Sequence, residues 1–223
     1  MKTLLWDIDG TLLTTRGAGA IPFKESIEEF LNCKIEFDRD KQSGLTDHQI
    51  VQLHIEQNKK EKTHSHLIDK IVEHYATKLR DALKDTPVQT YPGIKELLVR
   101  LQRSSCFNIS IATGNCSIGA REKLKSGGLL EYFDESRIFC SEDSGPRSNI
   151  LKRALSKMGA DARSSIVIGD TIHDWNAAKE LSIPFILIIN DERQISNKIA
   201  SMDGASIGPK WTTLEFEKII YAV

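Results

Sequence analysis

Asp7 and Asp9 stand two residues apart at the end of an apolar run, in the stretch LLWDIDGTLL. Residues two apart in an extended strand share a face, so both carboxylates are expected to project side by side with Ile8 turned to the core. Like charges that close repel and push one pKa up, so the pair calls for a positive partner. Three other clusters of polar residues follow short apolar runs: Thr113, Gly114 and Asn115 in IATGN, Asp143 and Arg147 in SEDSGPR, and Asp170 and Asp174 in IGDTIHD. Pooled on one edge, they would set at least four carboxylates beside a hydroxyl, backbone amides and a guanidinium. Hard oxygen ligands favour Mg2+ over zinc, and Mg2+ characteristically bridges one or two carboxylates to phosphate. Thr113, Asn115 and Arg147 suit a phosphoryl group whose charge is spread over three oxygens. Asp7 can then act as a nucleophile that forms an aspartyl-phosphate. Asp9 can protonate the leaving oxygen and afterwards deprotonate water, provided the two carboxyl pKa values are pushed apart.

The elements that must bring these residues together are legible as β-rich runs at 3–6, 107–112, 137–140, 165–169 and 184–189. Helical patterns lie between the later runs, at 92–103, 149–158 and 174–183, with Asp174 favourably placed at the start of the last. Strands alternating with helices imply a parallel sheet covered on both faces, with ligands at the carboxyl ends of the strands. The first crossover is abnormally long and helical, with patterns at 22–31, 47–57 and 67–83. The reading is therefore an α/β, Rossmann-like core of residues 1–14 and 87–223 carrying an inserted helical domain of residues 15–86. Gly17 and Gly19 suggest a flexible entry to that insert.

Composition excludes several classes. Thirty Lys and Arg residues balance 31 Asp and Glu, for a formal charge of −1, which gives no electrostatic support for nucleic acid or a membrane surface. The start MKTLLWDIDG meets a charge too soon for a signal peptide, and the apolar run IPFILII is far below a membrane span. Four cysteines without metal-like spacing are expected as reduced thiols in a cytoplasmic protein, with Cys116 close to the phosphate loop. A Walker-type loop is absent. The histidines of the insert, including HSH at 64–66, are expected at solvated positions, while His173 lies beside the site. Trp175 is expected to pack its helix.

The order DIDGT, IATGN, IGDTIHD resembles the haloacid dehalogenase-like hydrolase superfamily, and the helical insert resembles the cap of its phosphoglycolate-phosphatase-like members. The resemblance implies Asp7 as nucleophile, Asp9 as general acid/base, Thr113 as phosphate-binding hydroxyl and Asp170 as metal-binding acid. It further implies Asp174 as a direct or water-mediated metal ligand, with the backbone carbonyl of Asp9 as the remaining protein ligand. One departure stands out: Gly145 occupies the position of the family's lysine, so Arg147 is the nearest substitute. SGLTDHQI at 43–50 is similar to a cap segment of the same group, which makes Thr46 and Asp47 substrate-facing candidates, and Arg16 is a candidate for an anionic substrate. The expected protein is a Mg2+-dependent phosphohydrolase acting on a small phosphorylated metabolite, as a monomer or homodimer. A phosphomutase, a receiver-like phospho-acceptor and a partner-binding scaffold are the competing readings.

Overall fold

A computed structural model describes residues 1–38, 42, 44–59, 65–142, 145–190, 205–207 and 213–222. Its centre is a six-stranded parallel sheet formed by β1 (Lys2–Trp6), β4 (Phe107–Cys116), β5 (Ile138–Ser141), β6 (Ser165–Gly169), β7 (Phe185–Ile188) and β8 (Ala205–Ile207), in the order β5-β4-β1-β6-β7-β8. The order runs outward from β1 through β4 to β5 and then restarts on the other side at β6. The reversal makes the carboxyl end of β1 a topological switch point, where such sheets open a ligand crevice.

Both faces of the sheet are buried, as a parallel sheet requires. Leu4 and Trp6 enter one core with α4 (Ile94–Arg103), α5 (Ser117–Ser126) and α8 (Thr213–Ala222). Leu5 enters the opposite core with α6 (Arg147–Met158) and α7 (Ile172–Glu180). On the first face Phe216 stacks on Trp6 with ring centroids 5.1 Å apart. The sequence reading assigned no element to α5, β8 or α8. It also ended the second strand at 112, whereas β4 continues through Cys116, and it began the helix of Asp174 two residues late. Thr171 is the true N-cap of α7, with Asp174 in the third helical position of a reciprocal capping box.

Between β2 (Leu13–Thr14) and β3 (Gln89–Thr90) the chain forms α1 (Ala20–Leu31), α2 (Asp47–Lys59) and α3 (Ser65–Asp85). The two short strands pair antiparallel and make the neck of this insert. Its helices pack a core of their own, with Phe23 and Ile27 of α1 meeting Val51 and Ile55 of α2 and Tyr75, Leu79 and Leu83 of α3. His48 and His54 are buried rather than solvated, hydrogen-bonded to Ser141 and Gln42 respectively, while His66 is exposed and His64 lies outside the described residues. Among the described residues no helix is long and apolar enough to cross a membrane.

Candidate active site

Register alone brings the acidic residues to one level. Trp6 pairs with Ile111 of β4 and Ile168 of β6, so Asp7 leaves β1 one residue below Thr113 of β4 and Asp170 just past the end of β6. The Asp7 amide still bonds the Ile168 carbonyl at 2.9 Å, but the strand ends at Trp6. Gly10 has φ +77° and faces Asp170 so closely that a Cβ there would lie 2.0 Å from Asp170 Oδ2. The chain must turn at Gly10 for the two loops to meet, and only glycine accepts both conditions. This corrects the expectation of twin carboxylates on one strand face: Asp7 and Asp9 go to separate surroundings, although Ile8 is buried as expected.

Asp7, Asp170 and Asp174 form one cluster, each offering an oxygen within 4.8 Å of the others. Arg147, the first residue of α6, reaches into it with both arms: Nη2 lies 2.8 Å from Asp7 Oδ1 and Nε 3.1 Å from Asp174 Oδ1. The other oxygen of Asp174 accepts the Thr171 amide at 3.1 Å, and Thr11 donates to Asp170 at 3.3 Å. Burial raises the Asp7 carboxyl to about 7; Arg147 and a Thr113 hydrogen bond pull it down, while Asp174 and Asp9 push it further up. Burial likewise raises Asp170 well above the usual carboxylate range, with the charges of Asp174 and Asp7 adding to it. For Arg147, burial favours the neutral form, but the carboxylates of Asp174 and Asp7 outweigh it and the guanidinium stays charged. Among the described residues, one cation therefore faces three clustered acids, two of which are held back from ionising. That imbalance, in an all-oxygen donor set, is the environment a hard divalent cation fits.

Asp9 is turned out of this cluster. Its side chain keeps 37% exposure against 6% for Asp7. Asp9 Oδ2 accepts from Lys123 Nζ at 2.6 Å and from Asn115 Nδ2 at 2.9 Å, and the same Asn115 group bonds Thr113 Oγ1 at 2.8 Å. With the carboxylate engaged in this way, the backbone carbonyl remains the group of Asp9 expected to face a metal. The sequence reading missed Lys123 altogether. Burial would neutralise its ammonium, but the charges of Asp9 and Asp47 outweigh that and raise its pKa. Asp143 lies outside the described residues.

The start of α2 brings the insert onto these loops, beside α3, which packs against Cys116 and α5. Asp47 Oδ2 accepts the Cys116 amide at 2.8 Å, at the N-terminus of α5. His48 Nδ1 meets Ser141 Oγ at 2.8 Å. Thr46 spends its hydroxyl on the Gln49 amide, and Gln49 returns a bond to the Thr46 amide at 3.0 Å, a reciprocal box at the start of α2. A Cβ on Gly114 would lie 3.6 Å from both the Thr46 Cα and the Arg147 guanidinium carbon. Arg16 lies at the neck instead, exposed, with φ 51° and its guanidinium 2.6 Å from Gln89 Oε1; among the described residues it makes no bond to the acidic cluster. Burial pushes the Cys116 thiol well up, with the Asp47 charge adding to it, so a reactive thiolate is disfavoured there.

Gly44 fits against the ring of His173, where a Cβ would come within 1.8 Å, and its φ is +78°. Gly44→Ala is therefore expected to unseat this segment, with a left-handed penalty of about 1–2 kcal/mol before any clash. The expected outcome is faster proteolytic cleavage of residues 44–49 and reduced turnover, with the melting transition of the sheet domain retained.

The profile described as haloacid dehalogenase-like hydrolase matches residues 4–188. The chain is 26% identical over 200 residues to "Probable phosphatase IndB" of Dickeya dadantii, covering 83% of this chain and 80% of that one. It is 30% identical over 122 residues to a phosphoglycolate phosphatase of Agrobacterium fabrum, covering 53% and 51% respectively. Among solved structures, CbbY of Rhodobacter sphaeroides in complex with phosphate superposes with a TM-score of 0.72 at 18% identity, over 93% of each chain, a likeness of fold.

Proposed function

The chain belongs to the haloacid dehalogenase-like hydrolase family, and from that premise we propose that it is a Mg2+-dependent phosphohydrolase of small phosphomonoesters. The observation that carries the reading is the three-carboxylate cluster with Arg147 bridging Asp7 and Asp174, set at the switch point of the sheet. Asp7 would attack phosphorus: its oxygen–phosphorus bond forms as the bond to the leaving oxygen breaks. Asp9, outside the cluster and partly exposed, would give its proton to that leaving oxygen and later take one from the water that cleaves the aspartyl-phosphate. Thr113, the amides of Gly114 and Asn115, and Arg147 would hold the phosphoryl oxygens. Asp7, Asp170, Asp174 and the Asp9 carbonyl would hold Mg2+, which neutralises the charge that three acids and a phosphate bring together. Thr46 and Asp47 would line the leaving-group side as part of a helical cap over the core. The phosphatases among its relatives support a small phosphorylated metabolite as substrate. All four cysteines are free, which supports a reducing, cytoplasmic setting.

Phosphate release from a panel of phosphomonoesters tests the reading. Turnover is expected with Mg2+ and a loss of at least about 100-fold in EDTA; metal-independent release would overturn it, and an isomerised sugar phosphate in place of free phosphate would point to a mutase. The pH dependence follows from Asp7. A carboxyl raised to about 7 must lose its proton before it can ligate a cation or attack, so Mg2+ affinity should weaken as pH falls below 7, by up to about tenfold per unit for each proton displaced. Calorimetric titration of Mg2+ between pH 5.5 and 8.5 checks the slope.

A further inference from the structure

We propose that Lys123 is a positioning residue for the acid/base carboxylate of Asp9, and that Asp47 of the insert completes its setting when the insert is seated. The inference rests on the hydrolase reading above. Lys123 lies on the inward face of α5, where Gly119, Ala120 and Leu124 are also buried. An ammonium there is costly unless paired, and its side chain is only 8% exposed. Among the described residues its nitrogen bonds only site residues, donating to Asp9 Oδ2 and to Asn115 Oδ1. Asn115 in turn donates to the same Asp9 oxygen. Lys123, Asn115 and Asp9 thus close a ring of hydrogen bonds that joins α5 to the loop after β1.

This ring holds one oxygen of Asp9 and fixes the plane of its carboxylate. Among the described residues no hydrogen bond reaches Oδ1, which leaves that oxygen to carry the transferred proton. When Oδ1–H gives its proton to the leaving oxygen, negative charge builds on a carboxylate already 2.6 Å from an ammonium. The attraction is strongest after transfer has begun, so it acts on the chemical step rather than on substrate binding. Asp47 comes from the insert, anchored on the amide of Cys116 next to Asn115, and its charge acts on Lys123 together with that of Asp9. Seating the insert therefore sets Lys123 in the field of two carboxylates.

Leaving-group dependence tests the proposal. The alkoxide of 2-glycerol phosphate needs a proton to depart, whereas 4-nitrophenolate leaves without one. With saturating Mg2+, Lys123→Met should lower kcat on 2-glycerol phosphate by about 100-fold and on 4-nitrophenyl phosphate by less than about fivefold, with KM within about threefold on both. Lys123→Arg should recover part of the loss. Equal losses of kcat on the two substrates, or a loss confined to KM, would overturn the inference while leaving the hydrolase reading in place. A wild type inactive on both would remove the hydrolase reading and the inference with it. If circular dichroism shows Lys123→Met unfolded, Lys123→Arg is read by the same criterion, with a differential of about tenfold expected and none overturning it.

Discussion

Asp7→Asn is expected to abolish phosphate release, by about 10,000-fold or more, while leaving the metal-free protein at least as stable above pH 7 as the wild type. The first effect follows from covalent chemistry, since an amide cannot form the aspartyl-phosphate. The second follows from burial. Asp7 is 5% exposed, and its carboxyl is raised from 3.8 to about 7 chiefly by desolvation, with Arg147 offsetting only part of the shift. Between those two values the native state binds more protons than the unfolded chain, so its stability falls as pH rises through the window. Asn removes that slope. Melting curves in EDTA at pH 5 and pH 8 should therefore fall less steeply for Asp7→Asn than for the wild type, and Mg2+ should raise the wild-type transition more than the variant's. Turnover within tenfold of wild type would deny Asp7 the nucleophile's role. A lower melting temperature at pH 8 in EDTA would show that the carboxylate stabilises the fold.

The architecture was readable because its signals are local. Runs such as SIVIG, placed at 165–169 by sequence and by structure alike, must be buried on both faces, and the polar residues following each run then have one edge to occupy. Asp7, Thr113, Asp170 and Asp174 come together for that reason alone. Asp9 was misplaced because strand alternation was carried past Trp6, where β1 ends. Lys123 was invisible because its helix, SIGAREKLKS, has weak apolar patterning: its buried face is glycine, alanine, lysine and leucine. A lysine spaced three and four residues from small apolar neighbours was the available signal. Arg16 could not be placed from sequence, since its partner Gln89 lies 73 residues away across the neck. His48 and His54 read as solvated because their buried partners, Ser141 and Gln42, are set by tertiary packing.

Arg147→Met carries the second large effect, and its dependence on metal separates a site residue from a surface one. Gly145 stands where related sequences are expected to supply a lysine. The positive charge arrives instead from the first turn of α6, as a fork with one arm on Asp7 and the other on Asp174. Methionine fills similar space but leaves three clustered carboxylates with no guanidinium among them. Breaking a buried pair on one side costs about 3–5 kcal/mol, and that loss should appear in EDTA at pH 8, where the acids are driven to ionise. It should shrink at pH 5, where protonation relieves the repulsion, and again in Mg2+, which restores a counter-charge. Turnover should fall by about 100- to 1,000-fold, because the guanidinium also meets the phosphoryl oxygens as charge develops on them. Arg147→Lys keeps the charge but offers a single point instead of a fork, so it should regain stability before it regains rate. Equal stability losses with and without Mg2+ would mean that Arg147 holds the fold alone, and that the charge lost at Gly145 is supplied by another residue.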